Sequence, residues 1–112
     1  MAWRAFDDGR TIGQLGSEVG VIMRDDEHDD GARITLERNG RHAPFAITCG
    51  VYGWMLHTRF LSHEAAAQRA FDEMRAALGR IVDAIPLVDD PEGDEKSQAA
   101  AAAMGAFAER YP

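Results

Sequence analysis

The side chains in this 112-residue sequence that are best suited to proton transfer, metal binding or nucleophilic attack are four histidines and one cysteine. His57 and His63 lie close together in the chain, with Arg59 between them and Tyr52 and Trp54 shortly before. An imidazole can carry a proton or bind a metal, and aromatic side chains form the walls of ligand pockets. These five residues are therefore a candidate ligand site.

The cysteine, Cys49, could form a nucleophilic pair with a nearby histidine. It lies on the apolar side of a predicted strand, however, and this placement is more typical of a packed core thiol. The histidines and the cysteine lack the spacing of an HExxH helix or of paired CxxC motifs. The sequence therefore predicts no metal centre, no cofactor and no catalytic residue.

An acidic stretch, residues 25–31, raises the question of cation binding. The segment 26–37 resembles the calcium loop of an EF-hand, with Asp26 first, Asp30 fifth, Gly31 sixth and Glu37 twelfth. The third position is His28, which offers no carboxylate oxygen. If Glu37 lies in a strand, it cannot fold back to close the cage. A solvated acidic loop is the simpler interpretation.

The net charge also narrows the range of partners. Nineteen acidic and twelve basic residues give a formal charge of −7, which disfavours nucleic acid and anionic membranes as partners. No apolar run approaches the roughly 20 residues of a membrane-spanning helix. The first residues lack the pattern of a signal peptide, and one cysteine cannot form an internal disulfide. We expect a cytoplasmic protein.

Alternating apolar residues predict three strands, over residues 17–24, 32–38 and 45–60. Asn39 and Gly40 favour a two-residue hairpin between the second and third strands. That turn would place Ile34 opposite Phe45. In the long third strand, Gly50 and Gly53 indicate a bend or bulge.

Two helices are predicted to follow the strands. The first spans residues 63–85, with an apolar stripe at helical spacing, and ends before Pro86. The second contains five consecutive alanines and a thin stripe that could pack on this domain or on a partner. The predicted fold is α+β: a three-stranded antiparallel meander covered on one face by a long helix, followed by an alanine-rich C-terminal helix. Its predicted divisions are an N-terminal arm (1–15), a βββα core domain (16–86), a linker (87–93) and the C-terminal helix (94–112).

The third strand carries more apolar surface than one helix can cover. Tyr52, Trp54 and Leu56 lie on its far side, and an edge strand of this length needs a partner. We therefore expect a non-enzymatic interaction or regulatory module that forms a homodimer through these three residues, with a further protein partner left open. The alternative is a small enzyme or ligand-binding domain, with His57, Arg59 and His63 in its site.

Overall fold

One antiparallel sheet, with its strands in chain order, forms the centre of the protein. The computed structural model describes residues 2–112 and shows an α+β fold with two helices. The predicted class is therefore confirmed, whereas the predicted three strands are wrong, because the sheet has five. The elements are β1 (Trp3–Ala5), β2 (Val21–His28), β3 (Ala32–Arg38), β4 (Phe45–Val51), β5 (Met55–Leu61), α1 (Glu64–Asp83) and α2 (Gly93–Arg110), with a short 3-10 turn at Phe6–Gly9.

The long third strand of the prediction is in fact two strands, β4 and β5, joined by residues 52–54. Gly53 adopts a φ of +81°, a conformation that a tight hairpin needs and that glycine reaches without strain. The N–H of Trp54 donates to the carbonyl of Val51 at 2.9 Å and closes the turn. Of the two glycines that indicate a bend or bulge, Gly53 thus lies at a reversal of the chain, whereas Gly50 lies within β4.

The remaining extra strand, β1, lies in the segment predicted as an arm and pairs with the far end of β2. Strand β2 itself continues through the acidic residues that were predicted to form a loop. This extension is possible because Asp25, Asp26 and Glu27 each face a basic side chain, that of Arg33, Arg75 and Arg4 respectively. The acidic residues that the sequence places in a solvated loop are therefore paired with arginines of β1, β3 and α1.

The register of β3 and β4 also differs from the prediction. Ile34 pairs with Cys49 rather than with Phe45, and residues 39–44 form a longer loop in place of a two-residue turn. Asn39 has the positive φ of a hairpin turn, but its N–H donates to the carbonyl of Pro44 at 2.7 Å. The shift is by an even number of residues, so every side chain keeps its predicted face.

Helix α1 lies across β3 and β4 and begins and ends within two residues of its predicted bounds. Its apolar stripe meets one face of the sheet. The side chains that fill the core between them are all buried: Ala32, Ile34, Leu36, Ile47, Cys49, Val51, Phe71, Met74, Leu78 and Val82.

Helix α2 packs beside α1 on the same face and buries its stripe in the same core: Ala100, Met104 and Phe107, together with Tyr111 just after the helix. The Phe107 ring lies edge-on to His57 in β5, with centroids 6.3 Å apart. The stripe that could have packed on a partner therefore packs on its own chain. Within residues 2–112, neither helix is long and apolar enough to cross a bilayer.

The contribution of α2 to stability can be measured with Phe107→Ala. We expect the free energy of unfolding to fall by about 3–5 kcal/mol, because the change removes a buried ring and leaves a cavity. Glu109→Ala, on the exposed side of the same helix, is the control and is expected to change it by within about 0.5 kcal/mol. Urea denaturation of both variants provides the comparison, and equal losses would contradict the packing of α2 on the core.

Candidate functional site

The sheet has a second face, turned away from α1 and α2, which we call the open face. The register assigns to it alternate residues of β2 to β5, beginning with Asp25 and Glu27 in β2. The positions that follow on β3, β4 and β5 are Arg33, Thr35, Glu37, Ala46, Thr48, Gly50, Leu56, Thr58 and Phe60.

One half of the open face, over β2 and β3, is covered by residues 6–20. The ring of Phe6 lies 3.5 Å from the guanidinium carbon of Arg33. Arg33 donates two hydrogen bonds to the buried carboxylate of Asp25, at 2.9 and 2.7 Å, and Thr11 donates a third at 2.7 Å. The hydrogen bond from Asp25 is the main reason that the pKa of Arg33 is raised. This guanidinium is thus already paired and is not free to bind an anionic ligand.

The same covering segment is held by Glu37, whose side chain is fully buried. Its carboxylate accepts the backbone N–H groups of Glu18 at 3.2 Å and Gly20 at 3.0 Å. Val19, between these two residues, has a φ of +63°, a strained conformation for a β-branched residue. A buried charge needs such partners, and here the loop 16–20 supplies them.

On the other half of the open face, over β4 and β5, Leu56 and Phe60 are exposed and Thr48 and Thr58 are half-buried. A cavity of about 690 Å³ lies there, between residues 16–17 on one side and the turn 52–54 on the other. Tyr52, Trp54 and Leu56 form its apolar walls, and Thr35 and Thr48 lie on its floor. Tyr52 donates to Glu27 at 2.9 Å, and its pKa is raised, mainly by partial burial and then by this bond. Its hydroxyl is therefore a neutral, already engaged donor.

The structure does not bring the five residues of the candidate ligand site together. Tyr52 and Trp54 border the exposed cavity. His57 and Arg59 lie on the opposite face of β5, under the end of α2: the Nε2 atom of His57 is 2.5 Å from the carbonyl oxygen of Tyr111, and Arg59 lies over its ring. His63 is the residue before α1 and makes no capping bond.

Cys49 lies in the core beneath α1. Burial raises the pKa of its thiol to about 12. At neutral pH it remains protonated, and the thiolate that a nucleophile requires does not form. Its cross-strand neighbour is His57, whose Nε2 faces Tyr111 instead.

His28, Asp30 and Asp83 offer the one group of metal-ligand atoms within 4.8 Å of one another in the described chain. The Nδ1 atom of buried His28 accepts the N–H of Asp30 at 3.0 Å, so a neutral ring carries its proton on Nε2. Nε2 lies 3.4 Å from an Asp83 oxygen and has no hydrogen-bond partner. A cation at Nε2 would require the tautomer that carries its proton on Nδ1. That N–H would then point at the backbone N–H of Asp30, and the hydrogen bond between them would be lost. The trio is therefore not preorganised for a metal.

The residues of the calcium-like pattern are likewise separated. Asp26 accepts a hydrogen bond from Arg75 of α1 at 2.8 Å, on the helix side of the sheet. Glu37 lies on the open face and binds the loop 16–20. The sequence does not predict the role of two residues here: Glu37, which it suggests only as a calcium ligand, and Phe60, for which the spacing from Leu56 was the available signal.

The loop that holds Glu37 tolerates no side chain at Gly20. A Cβ there would lie 2.7 Å from the backbone oxygen of Arg38, so Gly20→Ala is expected to destabilise the fold by about 1–3 kcal/mol. Gly105→Ala, in α2 with nothing within 4 Å of the new Cβ, is expected to stabilise it by about 0.5–1 kcal/mol. Thermal unfolding of the two variants should shift in opposite directions; a shift in the same direction would contradict the close packing of this loop.

No family model matches the sequence of this chain, and neither a curated protein nor a solved structure matches it. The contacts, burial and charges of its own residues are therefore the basis for inferring a function.

Proposed function

We propose that this protein is a non-enzymatic interaction module that acts as a homodimer through the exposed half of its open face. The observation that carries the proposal is the amount of apolar surface there. Tyr52, Trp54, Leu56 and Phe60 expose 54, 41, 81 and 46% of their surface. Clustered large apolar side chains at this level of exposure are typical of interaction sites.

The charge pattern favours a second copy as the occupant. The chain carries a formal charge of −7, so two copies repel each other over most of their surface. The open-face positions of β4 and β5 form an uncharged area within that acidic surface. Its accessible residues are Thr48, Gly50, Leu56, Thr58 and Phe60.

Further features support a role without catalysis. The thiol of Cys49 is buried and protonated, and the candidate ligand residues are separated, with Tyr52 and Trp54 beside the cavity and His57 and Arg59 on the opposite face of the sheet. The acidic balance supports a protein partner over nucleic acid or an anionic membrane. A cytoplasmic location belongs to the same proposal, because the single cysteine is a free thiol.

The cavity favours a second candidate, a ligand-binding domain. Its volume falls within the range of small-molecule sites, and its walls are Tyr52, Trp54 and Leu56. The guanidinium of Arg33 is paired with Asp25, so the ligand that fits is uncharged and apolar. This candidate uses the same surface as the homodimer, and the two would compete.

Leu56→Glu tests the homodimer. Light scattering at micromolar concentration should give twice the mass of one chain for the native protein. The variant should dissociate at least about 100-fold more readily, because each copy loses a buried leucine contact. Leu87→Glu is the matched control: this leucine is 77% exposed but lies beyond α1, and its replacement should leave the dimer intact.

A native chain that stays monomeric at these concentrations would overturn the homodimer. If that monomer then binds an uncharged hydrophobic dye saturably, and Leu56→Glu abolishes the binding while Leu87→Glu does not, the ligand-binding candidate takes its place. Equal effects of both glutamate variants on mass would contradict a role for the open face.

A further inference from the structure

The two edges of the sheet differ. Strand β1 is three residues long, and its middle residue, Arg4, is engaged by Glu27 and Asp29. Strand β5 is seven residues long and, within the described residues 2–112, is paired with β4 alone. Its outer side presents backbone N–H and C=O groups without a strand partner. A long edge of this kind is a template for another strand.

The sequence of β5 is symmetric in character about Thr58. Met55 and Leu61, at its ends, are both apolar, and Leu56 and Phe60 are both large and apolar. His57 and Arg59, on either side of the centre, both carry nitrogen donors. In a two-fold interface, a residue i that contacts residue j of the second copy is matched by j contacting i. Antiparallel pairing of β5 with itself about Thr58 would set Met55 against Leu61 and Leu56 against Phe60 in this way, and Thr58 would face its own counterpart.

We propose that two copies join β5 to β5 in this register and form one continuous sheet. The inference rests on the proposed homodimer and assigns its contact to the β5 edge of the open face, with Leu56 and Phe60 in it; Tyr52 and Trp54, in the turn before β5, lie outside this pairing. Leu56 would lie opposite Phe60 of the second copy, and Phe60 opposite Leu56 of the second copy. Both pairs would be at the distance at which cross-strand side chains make contact. These are the two residues of β5 most exposed in the single chain.

The middle of the strand fits the same arrangement. The hydroxyls of Thr48 and Thr58 lie 3.3 Å apart, and Thr35 donates to the carbonyl of Thr48 at 3.3 Å. This row of threonines crosses the open face towards the edge and continues directly into Thr58 of the second copy. Threonine pairs across strands contribute favourably to sheet pairing.

On the other face, Met55 and Leu61 already pack against the core. His57 is engaged by the carbonyl of Tyr111, and Arg59 lies over the ring of that residue. The end of α2 thus packs against this face of β5, opposite the face that carries Leu56, Thr58 and Phe60.

Thr58→Cys tests the register. The two new thiols would face each other across the two-fold axis, with Cα atoms about 4.5–5.5 Å apart, within disulfide range. Cys49 is buried, with its pKa raised to about 12, so position 58 provides the reactive thiol. With copper–phenanthroline as oxidant, most of the chain should run as a covalent dimer on a non-reducing gel.

Leu56→Cys is the matched control on the same strand and face. Its two copies would be offset by four residues along the strand, roughly 14 Å, which is beyond disulfide range. Leu56→Cys alone should therefore stay uncrosslinked, whereas its mixture with Phe60→Cys should form the mixed disulfide. This mixture also tests the register should Thr58→Cys fail to fold.

The outcomes separate this inference from the proposed function. A dimer in light scattering without the Thr58→Cys or the mixed disulfide would overturn the pairing and leave the dimer, since packed sheet faces lie about 10 Å apart and do not crosslink. A monomeric native chain would overturn both. Equal crosslinking of Thr58→Cys and Leu56→Cys would show random collision and overturn the register.

Discussion

The carboxylate of Glu37 is the constraint on which the arrangement of the open face depends. It is fully buried, and it accepts hydrogen bonds from the backbone N–H groups of Glu18 and Gly20. Without them its burial would cost several kcal/mol. The loop 16–20 therefore has to close over β3, even with Val19 in a strained conformation. That loop covers only the half of the face over β2 and β3. The half over β4 and β5 is not covered by it, and the exposed apolar residues Leu56 and Phe60 lie there.

Local signals were sufficient for the helices and for the class of fold. The spacing of the apolar residues and the position of Pro86 determined α1 to within two residues, because helix formation depends on contacts between residues that are near in sequence. Face assignments within β3 and β4 also followed from alternation alone. These assignments are correct although the predicted two-residue hairpin is wrong, because a register shift by an even number of residues leaves each side chain on its face.

What could not be predicted depends on partners distant in the chain. The acidic residues of β2 look like loop residues until Arg33, Arg75 and Arg4 are placed beside them. The run from Phe45 to Phe60 looks like one strand unless Gly53 is known to have a positive φ. Tyr52, Trp54 and Leu56 are exposed, as the apolar surplus of the predicted third strand indicates. His57 and Arg59 were grouped with them because the reversal at 52–54 and the position of α2 were not visible in the sequence.

The short strand β1 has a consequence for the growth of any assembly. Sheets with two long free edges can add copies at both ends and extend into filaments. Here β1 offers three residues, with Arg4 held in ion pairs, so an incoming chain finds little to bind at that end. A two-fold contact at β5 uses the same surface of both copies and closes on itself. In the proposed dimer, the apolar residues of β5 would therefore be buried in an assembly of two copies, which could not grow into a filament from either end.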